Sequence, residues 1–320
     1  MPTLPTHARR SLAAALLIAC HAESATTPST ELPELSPNPQ TWVMLSGELS
    51  LAGVPGFHPT KTLRVGNVLR TYFVRNDGTV VFATSTDGKD LSSNITTTNL
   101  QRSTTPGDLR LGLDHPTVIQ RADGKFLMVY DYAVDATNQF YKRLVARVSD
   151  DGVTWGAAVL MPASDMDKSP GAGTYFQGVT GMVRLSNGSI RAYYTAAGNS
   201  VASALTTDGG LTWTEDAGYR LAGAGNAGYG DVCAITDTDG SILLYVHYTP
   251  DFSVGAQSIR MARSTDGLAF APYAGSLFPL PGGLGRHDDP DVFIAADGKW
   301  RMLLGVAGQT GTQLRIAERQ

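Results

Sequence analysis

The chain reads as an all-β protein, a five-bladed β-propeller whose ring is closed by an N-terminal strand in the last blade. Three observations predict this. A turn signature of Ser or Thr, Asp and Gly returns four times: Ser85-Thr86-Asp87-Gly88, Ser149-Asp150-Asp151-Gly152-Val153-Thr154-Trp155, Thr206-Thr207-Asp208-Gly209-Gly210-Leu211-Thr212-Trp213 and Ser264-Thr265-Asp266-Gly267-Leu268-Ala269-Phe270. Each copy ends one strand, lets the Asp carboxylate accept backbone N–H groups in the turn, and starts the next strand on a bulky residue in its longer forms. The successive Asp residues lie about 57 to 64 positions apart, the length of a four-stranded antiparallel sheet with its loops. Finally, five hairpins with Gly-Asn, Asn-Gly or Asp-Gly tips between apolar runs open five such segments.

The first hairpins fall in order. Blade one runs from His58-Pro59-Thr60 to Val65, turns at Gly66-Asn67 and returns through Val68 to Val74. Blade two repeats the opening as His115-Pro116-Thr117, runs to Ala122, turns at Asp123-Gly124 and returns through Phe126 to Tyr132. Blade three spans Val179 to Leu185, Asn187-Gly188 and Ile190 to Tyr194; blade four spans Asp231 to Thr236, Asp239-Gly240 and Ile242 to Tyr248. Blade five spans Asp289 to Ala295, Asp297-Gly298 and Trp300 to Gly305, and its third strand lies at about Gln313 to Glu318. That sheet lacks an outer strand, and the free candidate is Thr41 to Glu48, which would remove an exposed edge.

The N-terminal segment is not part of this domain. His7, Arg9 and Arg10 precede the short apolar run Leu12 to Ala19, the pattern of an export signal and too short to span a bilayer. Leu17-Ile18-Ala19-Cys20 resembles a bacterial lipobox, which implies cleavage before Cys20 and its lipidation; ordinary cleavage after Cys20-His21-Ala22 is the alternative. Residues 1–19 are then signal peptide, and 20–40 are the lipidated Cys and a Ser/Thr/Pro-rich stalk with too little aliphatic bulk for a core. Residues 41–320 form one propeller domain, expected at the cell envelope or secreted if Cys20 carries no lipid. Loss of residues 1–19 removes two Arg and takes the formal charge from −4 to −6, which argues against nucleic acid as a partner. Besides Cys20 only Cys233 remains, so no disulfide is expected within the domain.

Chemistry in a propeller is expected where the innermost strands begin, around the axis. The five aligned opening positions are His58, His115, Val179, Asp231 and Asp289, flanked by Asp114, Gly230, Asp288 and Asp291. Four ionisable groups in one layer are expensive to bury together unless they act. Two uses compete. A pair of carboxylates drawn from Asp114, Asp231, Asp288 and Asp289 suits general acid and base work in glycoside hydrolysis, with like charges raising the acid's pKa. His58, His115, Asp231 and Asp289 also make an ordinary ligand set for a divalent metal ion on the axis. Tyr175, Gln177, Tyr229, Arg286 and His287, in segments leading into inner strands, and Asp288 beside them, are the candidate substrate contacts. Asp before Pro also serves simply to open a strand, and His-Pro-Thr to shape a turn, so the set carries the reading more than any one member. The Gly-rich stretch Gly223 to Gly230 lacks the Lys-Ser/Thr of a phosphate loop and is expected as a rim loop.

Two resemblances bear on function. Thr206 to Trp213 fits the Ser/Thr-x-Asp-x-Gly-x-Thr-Trp pattern and resembles the Asp-box of sialidases and other carbohydrate-active propellers, which implies rim turns that hold hairpins shut. Asp289-Pro290-Asp291 before Asp297-Gly298-Lys299, and Asp114-His115-Pro116 before Asp123-Gly124-Lys125, resemble the strand openings of five-bladed glycoside hydrolases such as family 43. That implies a glycan substrate and, in some such enzymes, an ion on the axis. The chain departs from both patterns. Family 43 uses an axial Glu as general acid, whereas Glu48, Glu215 and Glu318 map to outer strands or edges, so the acid is expected to be an Asp, with His115 as the other candidate. Arg64, Arg121 and Arg184 sit beside hairpin turns and do not form the arginine triad of sialidases. The readings left open are a glycoside hydrolase, a propeller that binds glycan or protein without turnover, and a metal-dependent enzyme on another substrate.

Overall fold

The fold is given by a computed structural model that describes residues 38–51, 60–135, 138–162, 178, 180–225, 227–251, 256–279, 285–308 and 311–320. Strand β1 is Trp42–Met44. Blade one contains β2 (Lys61–Val65), β3 (Val68–Val74), β4 (Thr79–Ser85) and β5 (Ile95–Gln101). Blade two contains β6 (Asp114–Gln120), β7 (Phe126–Asp135), β8 (Asn138–Ser149) and β9 (Val159–Leu160). Blade three contains β10 (Thr180–Arg184), β11 (Ile190–Ala196), β12 (Ser200–Thr206) and β13 (Thr214–Glu215). Blade four contains β14 (Gly228–Thr236), β15 (Ile242–Thr249), β16 (Ser258–Ser264) and β17 (Ala271–Pro272). Blade five contains β18 (Arg286–Ile294), β19 (Trp300–Gly308) and β20 (Gly311–Arg319), and β1 pairs on β20 as its outer strand. All pairings within the blades are antiparallel, and the first strands β2, β6, β10, β14 and β18 touch in sequence and close on one another around the axis. The expected five-bladed propeller and its closing strand are therefore present.

The hydrophobic core is divided into five parts, one between each pair of neighbouring blades. Tyr72, Val80, Phe126 and Trp155 pack between blades one and two, and Leu127, Ala192, Tyr194 and Trp213 between blades two and three. Tyr193, Val232, Leu244 and Phe270 fill the next interface, Tyr245, Met261, Val292 and Met302 the fourth, and Phe73, Val81, Phe293 and Leu303 the fifth. Second strands are buried on both faces for this reason, which is why β11 and β15 are buried along nearly their whole length and mostly apolar, without a period of two.

The four repeated turns join the third and fourth strands of blades one to four. In blade three, Asp208 Oδ1 accepts the N–H groups of Leu211 (3.0 Å) and Thr212 (2.9 Å) and the Thr206 hydroxyl (2.8 Å). Asp151 and Asp266 do the same for the two N–H groups that follow their glycines. The turns also tie blades together. Blade one donates from Tyr72 Oη to Gly152 O (2.9 Å) and from Arg70 to Asp151 O (2.8 Å), and blade three donates from Tyr193 Oη to Gly267 O (2.9 Å) and from Arg191 to Asp266 O (3.3 Å). Gly152 has a φ of +76°, and a Cβ there would lie 2.7 Å from both Arg70 and Tyr72, so the turn needs glycine for its backbone and for the neighbouring blade.

The closing strand is pinned by one aromatic residue. Trp42 is buried and meets Tyr245 of blade four edge-on at 5.9 Å, while Gln40 Oε1 accepts from both Trp42 Nε1 (3.2 Å) and Tyr245 Oη (2.6 Å). Pairing extends past β1 through Leu45 N to Ile316 O and Leu49 N to Leu314 O, both 2.9 Å.

Two inner strands start well before their expected first residue. The inner strands of blades four and five begin three residues early, at Gly228 and Arg286, because a bulge lets pairing resume on the far side of Asp231 and Asp289. The expected rim loop therefore ends at Ala227, and Gly228, Tyr229 and Gly230 are strand. Trp42→Ala should lower the unfolding free energy by about 3–5 kcal/mol in urea titrations, since it leaves a cavity at the closure.

Candidate functional site

Three first strands carry the same irregularity. Pairing jumps from Asp114↔Asp131 to Thr117↔Val129 in blade two, from Gly230↔His247 to Cys233↔Tyr245 in blade four, and from Asp288↔Gly305 to Asp291↔Leu303 in blade five. Two residues of the inner strand thus oppose one of the second strand, and the first of the two is left-handed: His115 (φ +50°), Asp231 (φ +47°) and Asp289 (φ +48°). Asp, Asn and His tolerate that conformation better than other side chains with a Cβ. The residue types at these openings thus answer a backbone demand as well as a chemical one. A bulge re-aims the side chain it carries, and strained positions of this kind gather at functional sites.

Two of these side chains, His115 and Asp231, meet second-strand residues that the strand alignment did not single out. His115 Nδ1 lies 3.0 Å from Asp131 Oδ2, and Lys142 Nζ donates to the same oxygen at 2.7 Å. In blade four Asp231 Oδ2 is hydrogen-bonded to His247 Nδ1. Both partners sit sixteen residues after the bulge, on the second strand, and the identities are exchanged: His then Asp in blade two, Asp then His in blade four. Blade five has Gly305 opposite Asp288 at the corresponding register, so its carboxylates meet no imidazole from the second strand.

Electrostatics separates these groups. Burial alone would lower the pKa of His115, yet Asp131 and Asp114 raise it to about 9, so the imidazole is cationic at neutral pH. Asp131 is wholly buried, and Lys142 and His115 outweigh that burial and hold it ionised. Asp231 is also held ionised against its burial, chiefly by His247, with His115 and Lys61 adding to the effect. Asp288 moves the other way, to about 6, through burial and the charge of Asp231, with Arg286 Nε 3.0 Å away as its cation. Asp289 is raised well above the ordinary carboxylate range by burial, Asp231 and Asp288. Asp231, Asp288 and Asp289 each keep an Oδ1 that is buried and without a hydrogen-bond partner among the described residues.

The other expected site residues are distributed as follows. His58, Tyr175 and Gln177 lie outside the described residues, as does Cys20. Asp114 opens β6, accepts the His115 N–H at 3.1 Å and faces Arg102 at 3.6 Å. Tyr229 packs against Tyr248 at 5.2 Å in the core between blades three and four. Arg286 is exposed, whereas His287 is buried against Phe278 at 5.4 Å, and its burial lowers the imidazole pKa to about 4, which keeps it neutral. Asp291 turns to blade one, where Thr62 N (3.0 Å) and Thr62 Oγ1 (2.7 Å) donate to it. Glu215 and Glu318 lie on β13 and β20, and Glu48 follows β1, so no Glu opens an inner strand among the described residues. The expected metal quartet requires His58; among the described residues no three His, Cys, Asp or Glu side chains are disposed to hold a metal ion. His115 Nδ1 and one Asp231 oxygen are engaged by Asp131 and His247.

No family model and no curated protein matches the chain. Solved structures do. A thermostable family-43 glycoside hydrolase superposes with a TM-score of 0.60 at 13% identity, covering 86% of this chain and 92% of its own. An endo-arabinase from Bacteroides thetaiotaomicron gives 0.60 at 12%, with 85% and 97% covered. Endo-1,5-α-L-arabinanase from Thermotoga petrophila gives 0.59 at 15%, with 85% and 73% covered. At these identities the likeness is one of fold: the chain is a five-bladed β-propeller resembling family-43 glycoside hydrolases in structure.

The His115 pairing has a pH signature. Its raised pKa stabilises the fold fully below pH 6.5, and that contribution is lost as pH rises from 6.5 through about 9. Asp131→Asn should flatten this slope in denaturation experiments and lower the His115 pKa, followed by NMR.

Proposed function

We propose that this propeller is a glycoside hydrolase-like enzyme of the cell envelope, acting on a glycan through the Asp/His cluster at the inner strand openings. One observation carries the reading. Asp231 and Asp289 occupy equivalent bulges of adjacent blades, and their surroundings shift them in opposite directions: Asp231 is held ionised, whereas burial and the charges of Asp231 and Asp288 push the Asp289 carboxyl well above its ordinary range. Two carboxyl groups with opposed pKa shifts are what general acid and base roles at a glycosidic bond require. Asp289 then protonates the leaving oxygen, and Asp231, through the oxygen not bonded to His247, takes the proton from the attacking water. His247 and His115 keep the base charged, and burial, with Asp231 and Asp288 adding to it, raises the pKa of the acid. An Asp in the acid role is consistent with the lack of a Glu at the described inner strand openings. The fold of the neighbouring arabinan-active enzymes supports a glycan substrate, with Arg286, Tyr175 and Gln177 as further contacts.

Asp289→Asn and Asp231→Asn should each lower kcat on a responsive glycan by at least about 100-fold, measured first on arabinans and then on a wider polysaccharide panel. Turnover should fall on the alkaline side as Asp289 loses its proton. Asp288→Asn removes a like charge that raises Asp289 and should move that limb of the kcat/KM profile to lower pH.

A second reading, a propeller that binds glycan or protein without turnover, is favoured by the absence of a Glu at those openings. Binding without cleavage by the wild type would establish it. Activity lost on chelation and restored by a divalent ion would instead favour a metal-dependent enzyme using His58 with His115, Asp231 and Asp289. Anchoring through Cys20 predicts that Cys20→Ser releases the protein from the membrane fraction and abolishes fatty-acid labelling.

A further inference from the structure

We propose that Lys61 is a positioning residue whose ammonium clamps, from blade one, the two bulges that present Asp231 and Asp289 in blades four and five. The activity arm of this proposal rests on the glycosidase reading; its geometric arm does not.

Lys61 opens β2, and its side chain is buried with only 6% of the residue exposed. Its Nζ donates to Pro290 O at 2.9 Å and to Val232 O at 3.3 Å. These carbonyls belong to the residues immediately after the left-handed Asp289 and Asp231, inside the stretches where the register break removes regular pairing with β19 and β15. A buried carbonyl has to be met by donors, and at a register break a side chain can serve as one. Lys61 supplies one donor to both bulges, which links the orientation of the two carboxylates across two blade boundaries. The reach of Lys61 is fixed by its neighbours: Thr60 Oγ1 (3.3 Å), Thr62 N (3.0 Å) and Thr62 Oγ1 (2.7 Å) donate to Asp291, and so lock β2 to β18. Cations near a buried carboxylate favour its ionised form, and Lys61 acts in that sense on both Asp231 and Asp291.

The test compares Lys61→Met, which keeps an unbranched side chain one atom shorter and removes its donors, with Thr62→Val, which weakens the same seam without touching the clamped carbonyls. His247 and His115 are followed by NMR titration in each. Removal of a nearby cation alone would leave His247 unchanged or raise its pKa. Loosening of the Asp231 bulge weakens the His247–Asp231 bond and lowers it. The expected result is a fall in the His247 pKa of about one unit in Lys61→Met and none in Thr62→Val. On a responsive glycan, kcat should fall about 10- to 100-fold with KM nearly unchanged. An unmoved or raised His247 titration in Lys61→Met, or an equal fall in Thr62→Val, overturns the proposal. If Lys61→Met does not fold, Lys61→Gln is read by the same His247 criterion. A wild type inactive on every glycan defeats the glycosidase reading, and the His247 comparison still decides the role of Lys61.

Discussion

The site depends on one backbone constraint, the left-handed residue that opens a bulge in the inner strands of blades two, four and five. An uninterrupted strand would alternate its side chains between the two neighbouring blades, where the apolar cores lie. The break in register frees His115, Asp231 and Asp289 from that alternation, and behind Asp231 and Asp289 it sets a carbonyl within reach of Lys61. The placing of the ionisable side chains and of these backbone acceptors thus arises from the same irregularity. The exchange of His and Asp between blades two and four fits the same scheme, because either order puts an imidazole against a carboxylate at the same separation.

Around this polar centre the blades are held mainly by what they share. Each core is built from two blades, so a blade alone would expose the faces of its buried second strand. Polar ties add direction to that packing. Arg70 and Tyr72, and again Arg191 and Tyr193, reach from one blade to turn carbonyls of the next, and Asp291 joins blade five to blade one. These contacts set the angle between neighbouring blades, and through it the approach of the bulges to one another.

Much of the fold was legible in the sequence because its signals are local. Gly-Asn, Asn-Gly and Asp-Gly tips mark hairpins within a few residues, and the Ser/Thr-x-Asp turns repeat at blade length. The opening positions His115, Asp231 and Asp289 were also found by alignment, since the three bulges share one register. Their partners were not. Asp131 and His247 each interrupt an apolar run by a single polar residue, Tyr130-Asp131-Tyr132 and Val246-His247-Tyr248, and the sixteen-residue spacing becomes meaningful only once both pairs are seen together. Lys61 and Lys142 were missed for a different reason: a Lys on a strand ordinarily reaches solvent, and only the closed ring turns these two inward, Lys61 buried and Lys142 half-buried. The early starts of β14 and β18 were hidden because a bulge looks like a strand end when the alternation of side chains is interrupted.

The pairing of β1 with β20 joins the earliest-made strand of the domain to the last. During synthesis Trp42 emerges first and has no edge to dock on until Arg319 has followed it, some 280 residues later. Four blades can associate as an open arc in that interval, but the ring exists only when translation of the domain is finished. Closure is therefore a late step in the life of the chain, because the edge that receives β1 is the last part of the domain to be made.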